Sequence, residues 1–180
     1  MRKKVFISLT IALTLTLSSW TGDTLSDRDA KYLLKETKKV IKKTFSLDVF
    51  YLEKNFKELK STTFLQEYSF YNIMAQEETK GYAIIARAPS KTDSFEYLLL
   101  FDLNFTIKKV KVLIYRENYG GEISSKRWLS QFSKYSEEND FVYGDNISAI
   151  SGATISVKSI TTSINDVMNS LRILKAKNEI

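Results

Sequence analysis

Residues 81–115 read GYAIIARAPSKTDSFEYLLLFDLNFTIKKVKVLIY. The stretch contains three runs rich in aromatic and β-branched residues, Gly81 to Ala88, Phe95 to Asp102 and Thr106 to Tyr115, and the interval Pro89 to Ser94 is polar and turn-forming. Runs of this length and composition, bounded by turn residues, are strands, and connections this short favour antiparallel pairing. Phe70 to Ala75, set off by polar Gln76 to Lys80, adds a further strand upstream. In the last run Ile107, Val110, Val112 and Ile114 alternate imperfectly with Lys108, Lys109 and Lys111, the pattern of a sheet with one face buried and one wet.

Helical periodicity flanks this block. From Ser26 to Phe45 the apolar residues Ala30, Leu33, Leu34, Val40 and Ile41 recur at helical spacing, with Ser26 as N-cap and Asp27 and Asp29 in the first turn. Near the other end Ile160, Ile164, Val167, Met168, Leu171 and Leu174 keep a spacing of three or four, behind Ser156 as N-cap. Ser124 to Ser133 reads as a short helix with Trp128, Leu129 and Phe132 on one side, and Phe141 to Tyr143 reads as a strand. Residues 47–67 mix strand and helix signals, with Phe50, Tyr51, Leu52, Phe56 and Leu59 expected in the core. The fold class that follows is α+β, a twisted antiparallel sheet packed against an N-terminal and a C-terminal helix, in one domain over residues 21–180. The 43% hydrophobic content, with 11 Phe and 10 Tyr, supplies a core for it.

Residues 1–20 read as an export segment. Arg2, Lys3 and Lys4 precede an uncharged run of apolar residues and threonines from Val5 to Leu17. That run falls short of the ~20 residues that span a bilayer, so a signal peptide leads. No A-x-A triplet marks a cleavage site, which leaves a signal anchor as the alternative. The expected location is the periplasm or the extracytoplasmic face of the membrane. Removal of the three basic residues would leave 24 Lys plus Arg against 21 Asp plus Glu, an ordinary balance that gives no support for nucleic-acid binding.

The chain has no Cys and no His. Disulfides, thiolate metal sites and iron–sulfur clusters are therefore excluded, and the usual general base of hydrolases is missing. No catalytic nucleophile–base pair is visible and no metal ligand is assigned, while a hard-cation site of carboxylates and carbonyls stays open. Redox work would need an organic cofactor.

The informative stretch is Ile150-Ser151-Gly152-Ala153-Thr154-Ile155-Ser156, just ahead of the last helix. Small residues let a ligand approach the backbone, and free N–H groups at a helix start bind anions. On the residues alone this is either an anion site with the Thr154 hydroxyl beside it or a Ser/Gly turn running into an N-cap. Upstream stands Tyr115-Arg116-Glu117-Asn118-Tyr119-Gly120-Gly121-Glu122-Ile123, followed by Trp128, Leu129, Gln131 and Phe132.

Ser151-Gly152-Ala153-Thr154 resembles the SGAT motif of bacterial FMN-binding domains, the type carried by the exported flavin subunits of sodium-pumping quinone reductases and Rnf complexes. The Tyr115 to Phe132 segment resembles the E-T-P-G-L-G turn and following helix of the same domains, and the likeness runs from about Gly81 to Leu171. The resemblance implies FMN as cofactor, joined through its phosphate to Thr154 by a flavin transferase. It also implies transfer of electrons to a redox partner at the membrane or outside the cytoplasm. Ser151, Gly152, Ala153, Thr154 and Ser156 would hold the phosphate end. Gly120 and Gly121 would let main chain reach the ring, Tyr119 or Trp128 would stack on it, and Glu122 would stand nearby. Trp128 reads equally as the core anchor of its helix, and Arg116 as an ion-pair holder of the turn. Two departures stand out: Ser148 occupies the position, six before Thr154, where the family's transferase signature has Asp, and Tyr119 and Gly121 replace Pro and Leu of the glycine turn. The alternatives to a covalent electron carrier are a noncovalent FMN reductase of a small substrate and an exported binding module without flavin.

Overall fold

The computed structural model describes residues 26–60, 64, 65, 67–134 and 140–180. The expected export segment at 1–20 lies outside the described residues. Helix α1 (Asp27–Phe45) leads into five strands, β1 (Tyr51–Asn55), β2 (Glu67–Ala75), β3 (Glu78–Pro89), β4 (Ser94–Phe101) and β5 (Ile107–Ile114). They form one sheet in sequence order, every neighbouring pair antiparallel. Helix α2 (Lys126–Leu129) sits between two 3₁₀ turns, Gly121–Ser124 and Ser130–Lys134, and α3 (Thr154–Ala176) closes the chain. The architecture is the expected α+β arrangement of an antiparallel sheet with a helix from each end of the chain. Among the described residues no helix is long and apolar enough to cross a membrane.

The sheet is covered on both faces. Leu98 and Leu100 of β4 join Leu33 and Ile41 of α1 in one core, while Phe95, Tyr97, Leu99 and Phe101 join Ile160, Ile164, Val167 and Leu171 of α3 in the other. This corrects the expectation of one wet face. β4 is buried from Phe95 to Phe101, as its unbroken apolar run requires if α1 and α3 take opposite sides. The lysines of β5 misled because they are amphipathic: Lys111 reaches from the sheet to Glu36 of α1 at 2.8 Å.

Ser26 caps α1 as expected, accepting from the Asp29 N–H at 3.1 Å. The β2–β3 turn is tighter than expected. Gln76 and Glu77 both take positive φ, the two-residue geometry that matches hairpin twist, so Glu78 to Lys80 belong to β3. Within residues 47–67, Leu52 and Leu59 are buried, but Tyr51 and Phe56 are exposed, because Tyr51 lies on the outer side of an edge strand and Phe56 follows its end. The expected strand at Phe141 to Tyr143 is a single bridge between Tyr143 and Ile147. Side-chain amides take its backbone donors instead: Asn165 accepts from the Phe141 N–H and Asn146 from the Val142 N–H. The expected helix at Ser124 to Ser133 is one α turn flanked by 3₁₀ turns, with Trp128, Leu129 and Phe132 buried as foreseen.

Candidate functional site

The chain leaving β5 and the loop entering α3 meet backbone to backbone. Gly120 has φ +71°, and a Cβ placed there would stand 2.4 Å from the Ala153 Cβ. Only glycine permits this approach, which brings the glycine turn against the Ser151 to Thr154 loop. Gly152, also at positive φ, follows in the same loop. Gly121 differs: its φ is not positive and no atom lies within 4 Å of where a Cβ would point. Nothing in the fold therefore demands glycine at 121.

The loop is also fastened from below. The Trp128 indole Nε1 donates to the Ser148 carbonyl at 2.8 Å, and the Ser148 N–H donates to Gln131 Oε1 at 2.9 Å. Gln131 in turn donates to the Trp128 carbonyl. Trp128 is buried and packs edge-on against Phe132, so most of its ring belongs to the core. Ser125 caps this short helix, accepting from the Trp128 N–H.

Helix α3 begins at Thr154, with Ala153 as its cap residue and no side chain capping it. The expected cap, Ser156, lies in the first turn instead. The Ala153 N–H bonds to the Ile150 carbonyl and the chain enters the helix from that turn, three residues earlier than Ser156 as a cap would place it. Ser156 is buried, and its hydroxyl meets the Tyr115 hydroxyl at 3.1 Å. The N–H groups of Thr154, Ile155 and Ser156 donate to no acceptor among the described residues. Thr154 is exposed. Three N–H donors without a partner among the described residues and an exposed Thr154 thus stand together at the positive end of a 23-residue helix.

Two clefts flank this loop. The one containing Thr154, about 280 Å³, is lined also by Tyr115, Tyr119, Gly152, Ala153, Ile155 and Ser156, and by Lys91 and Glu117. The other, about 630 Å³, is lined by Ser148, Ala149 and Ser151 together with Glu122, Arg127, Trp128 and Gln131. The structure therefore places Tyr119, 79% exposed, on the Thr154 side and puts Trp128, Glu122 and Ser151 around the neighbouring cleft. Gly120 is packed beneath the loop, and Gly121 is exposed beside it.

Lys91 and the Tyr115 ring were not foreseen as neighbours of Thr154. Lys91 comes from the β3–β4 turn, which closes through the Ser90 N–H and the Asp93 carbonyl at 2.7 Å. Glu117 holds that turn with both oxygens, accepting from the Thr92 N–H at 2.7 Å and the Thr92 hydroxyl at 2.9 Å. The Ser90 hydroxyl, which also donates to the Asp93 carbonyl, is the largest influence holding the Glu117 carboxyl down to about 2, followed by the Thr92 N–H. Arg116 turns away from the clefts. It donates to the Ser94 carbonyl and to Glu96, each at 2.8 Å, on the α1 face of the sheet. Burial raises the Glu96 carboxyl above the ordinary carboxylate range, against the pull of Arg116.

A family model described as FMN-binding domain matches residues 35–169. The chain belongs to that family. The match begins within α1, ahead of the glycine and SGAT segments, and runs almost to the end of α3. No curated protein matches the chain. As an FMN-binding domain it has a use for what the site offers: uncapped N–H donors suit a phosphate, and the larger cleft falls within the ~300–1,000 Å³ usual for small-ligand sites. The open direction at Gly121 leaves main chain uncovered beside the clefts. On these observations the residues present fit the cofactor.

Proposed function

We propose that this FMN-binding domain carries its flavin with the phosphate at the start of α3, esterified to the Thr154 hydroxyl, and relays electrons outside the cytoplasm. The observation that carries this reading is the position of Thr154: exposed, first in the helix, beside three unbonded N–H groups, in a loop with no capping side chain. A phosphodiester there keeps one negative charge, which a helix N-terminus favours by about 0.3–1 kcal/mol when exposed. Esterification forms the Oγ–P bond as the hydroxyl loses its proton. A flavin transferase would supply a pyrophosphate-activated flavin nucleotide, whose P–O–P bond breaks in exchange.

When bound, FMN supplies the redox chemistry that a chain without Cys or His lacks. The protein's part is to position it: the helix end and Thr154 hold the phosphate, Tyr119 offers an exposed aromatic face, and Gly120 fixes the spacing of the two loops. Export is supported by Arg2, Lys3 and Lys4 ahead of an apolar run. A redox partner at the membrane or beyond it follows from that location.

The intact mass of the full chain, coexpressed with a flavin transferase, tests the proposal. A flavin adduct that survives acid precipitation is the expected result. One observation favours a second reading, FMN held without a covalent bond for direct reduction of a small substrate: Ser148 stands where the transferase signature has Asp. In that case acid releases yellow flavin from an unmodified chain.

A further inference from the structure

The geometry points to Lys91 as the residue that makes this site select the phosphorylated flavin: its ammonium group, presented by the β3–β4 turn, pairs with the phosphate at the start of α3. The inference rests on the reading of Thr154 as the phosphate end of the site.

Lys91 is the one cation among the residues that line the Thr154 cleft. It has no ion-pair partner among the described residues, whereas Lys80 pairs with Glu78 and Lys111 with Glu36. Its turn is fixed in place from two directions. The Ser159 hydroxyl, one turn into α3, donates to the Pro89 carbonyl at 2.6 Å. From the other side Glu117 grips Thr92 through backbone and hydroxyl.

The clamp solves an electrostatic problem as well. Glu117 lines the same cleft, and a free carboxylate there would repel a phosphate. Both of its oxygens are engaged by Thr92, so its charge is offset within the turn that carries Lys91. Lys158, the next cation along α3, lies over the Tyr143 ring at 5.2 Å and does not line this cleft. The cleft therefore brings together the start of α3, with its unbonded N–H groups, and a single ammonium without an ion-pair partner among the described residues. Riboflavin, which lacks the phosphate, gains nothing from either.

The test is a titration of the full chain, made without a transferase, with FMN and with riboflavin, read by quenching of flavin fluorescence. Wild type is expected to prefer FMN. Lys91→Gln is expected to lose about three- to tenfold in FMN affinity, the range for a solvent-accessible charge contact to an anion, with riboflavin unchanged and the loss shrinking as salt is added. Thr92→Val, which removes one donor to Glu117, is expected to shift FMN binding in the same direction by less. Thr154→Tyr, which fills the cleft, serves as the control for the parent reading. If Thr154→Tyr abolishes FMN binding and Lys91→Gln leaves it unchanged, the role of Lys91 is overturned and the site stands. If Thr154→Tyr has no effect, or wild type does not distinguish FMN from riboflavin, the phosphate is not held here and both fall.

Discussion

A Cβ at Gly120 would stand 2.4 Å from the Cβ of Ala153, which makes the glycine turn and the small-residue loop one packed unit. The next residue, Gly121, has open space where a side chain would go. The two glycines therefore separate packing from ligand contact. Gly120→Ala is expected to cost about 2–4 kcal/mol, combining a left-handed backbone with overpacking. Gly121→Val is expected to change stability by less than about 1 kcal/mol and to weaken FMN binding more than that. Thermal melts of the flavin-free chain beside flavin titrations measure both. Equal loss of stability and binding at Gly121 would make it a structural turn residue only.

Arg116 and Glu96 meet at 2.8 Å with the Glu96 side chain fully buried, and Glu96 Oε1 has no hydrogen-bond partner among the described residues. Arg116→Met leaves that carboxylate with only Arg87 at 3.8 Å, so it is expected to destabilise by about 3 kcal/mol, as when one partner of a buried pair is removed. Adding Glu96→Gln returns part of the loss. FMN affinity is expected to hold in both variants, since Arg116 faces α1 and not the clefts. Urea unfolding and flavin titration decide it, and loss of flavin without loss of stability would move Arg116 into the site.

The Glu117 clamp gives stability a pH signature. Its carboxyl is lowered from an ordinary 4.5 to about 2, so the folded state holds fewer protons than the unfolded chain between those values. A lowered carboxyl contributes fully above 4.5 and loses that contribution as pH falls towards 2. The stability gap between wild type and Glu117→Gln is therefore expected to be constant at neutral and weakly acidic pH and to close on further acidification. Glu96 is unchanged in both proteins, and its opposite trend cancels in the difference. A gap that widens in acid would contradict the clamp.

What could be read along the chain was whatever depends on near neighbours. The three-or-four spacing of Ile160 to Leu174 marks a buried helix face, and all six apolar residues are buried. The small residues of Ser151 to Thr154 and the Gly120-Gly121 pair stand out in the sequence, although among them only at Gly120 does a close backbone approach demand glycine. Ser156 was misplaced because a serine in the first turn and a serine at the cap look alike in sequence. Gln76 and Glu77 gave no glycine signal for a left-handed turn. Lys91 and Glu117 escaped notice for another reason: their place beside Thr154 arises from the pairing of β3 with β4 and the packing of α3 across the sheet, which no local pattern encodes.

Thr154 carries the last prediction. The residue is exposed at the first position of α3 and its hydroxyl has no hydrogen-bond partner among the described residues, so Thr154→Val removes the oxygen at a stability cost of about 0.5 kcal/mol or less. That variant is expected to lose any covalent flavin while melting like wild type; Thr154→Ser keeps an oxygen and is expected to retain part of the adduct. If Thr154→Val still holds flavin after denaturation, the linkage lies elsewhere, with Ser151, exposed on the neighbouring cleft, the next position to test. Ser156 is a poorer candidate, being buried against the Tyr115 hydroxyl. If wild type itself carries no adduct beside an active transferase, Ser148 is the residue to change. Its backbone is already held by Gln131 and Trp128, and its exposed side chain has no partner among the described residues at the cleft that Arg127 also lines, so Ser148→Asp alters the surface without disturbing the loop. Adduct restored by that change would establish both the linkage site and the reason for its failure. Adduct still absent would leave FMN bound without a covalent bond, held at the helix end by charge and hydrogen bonds alone.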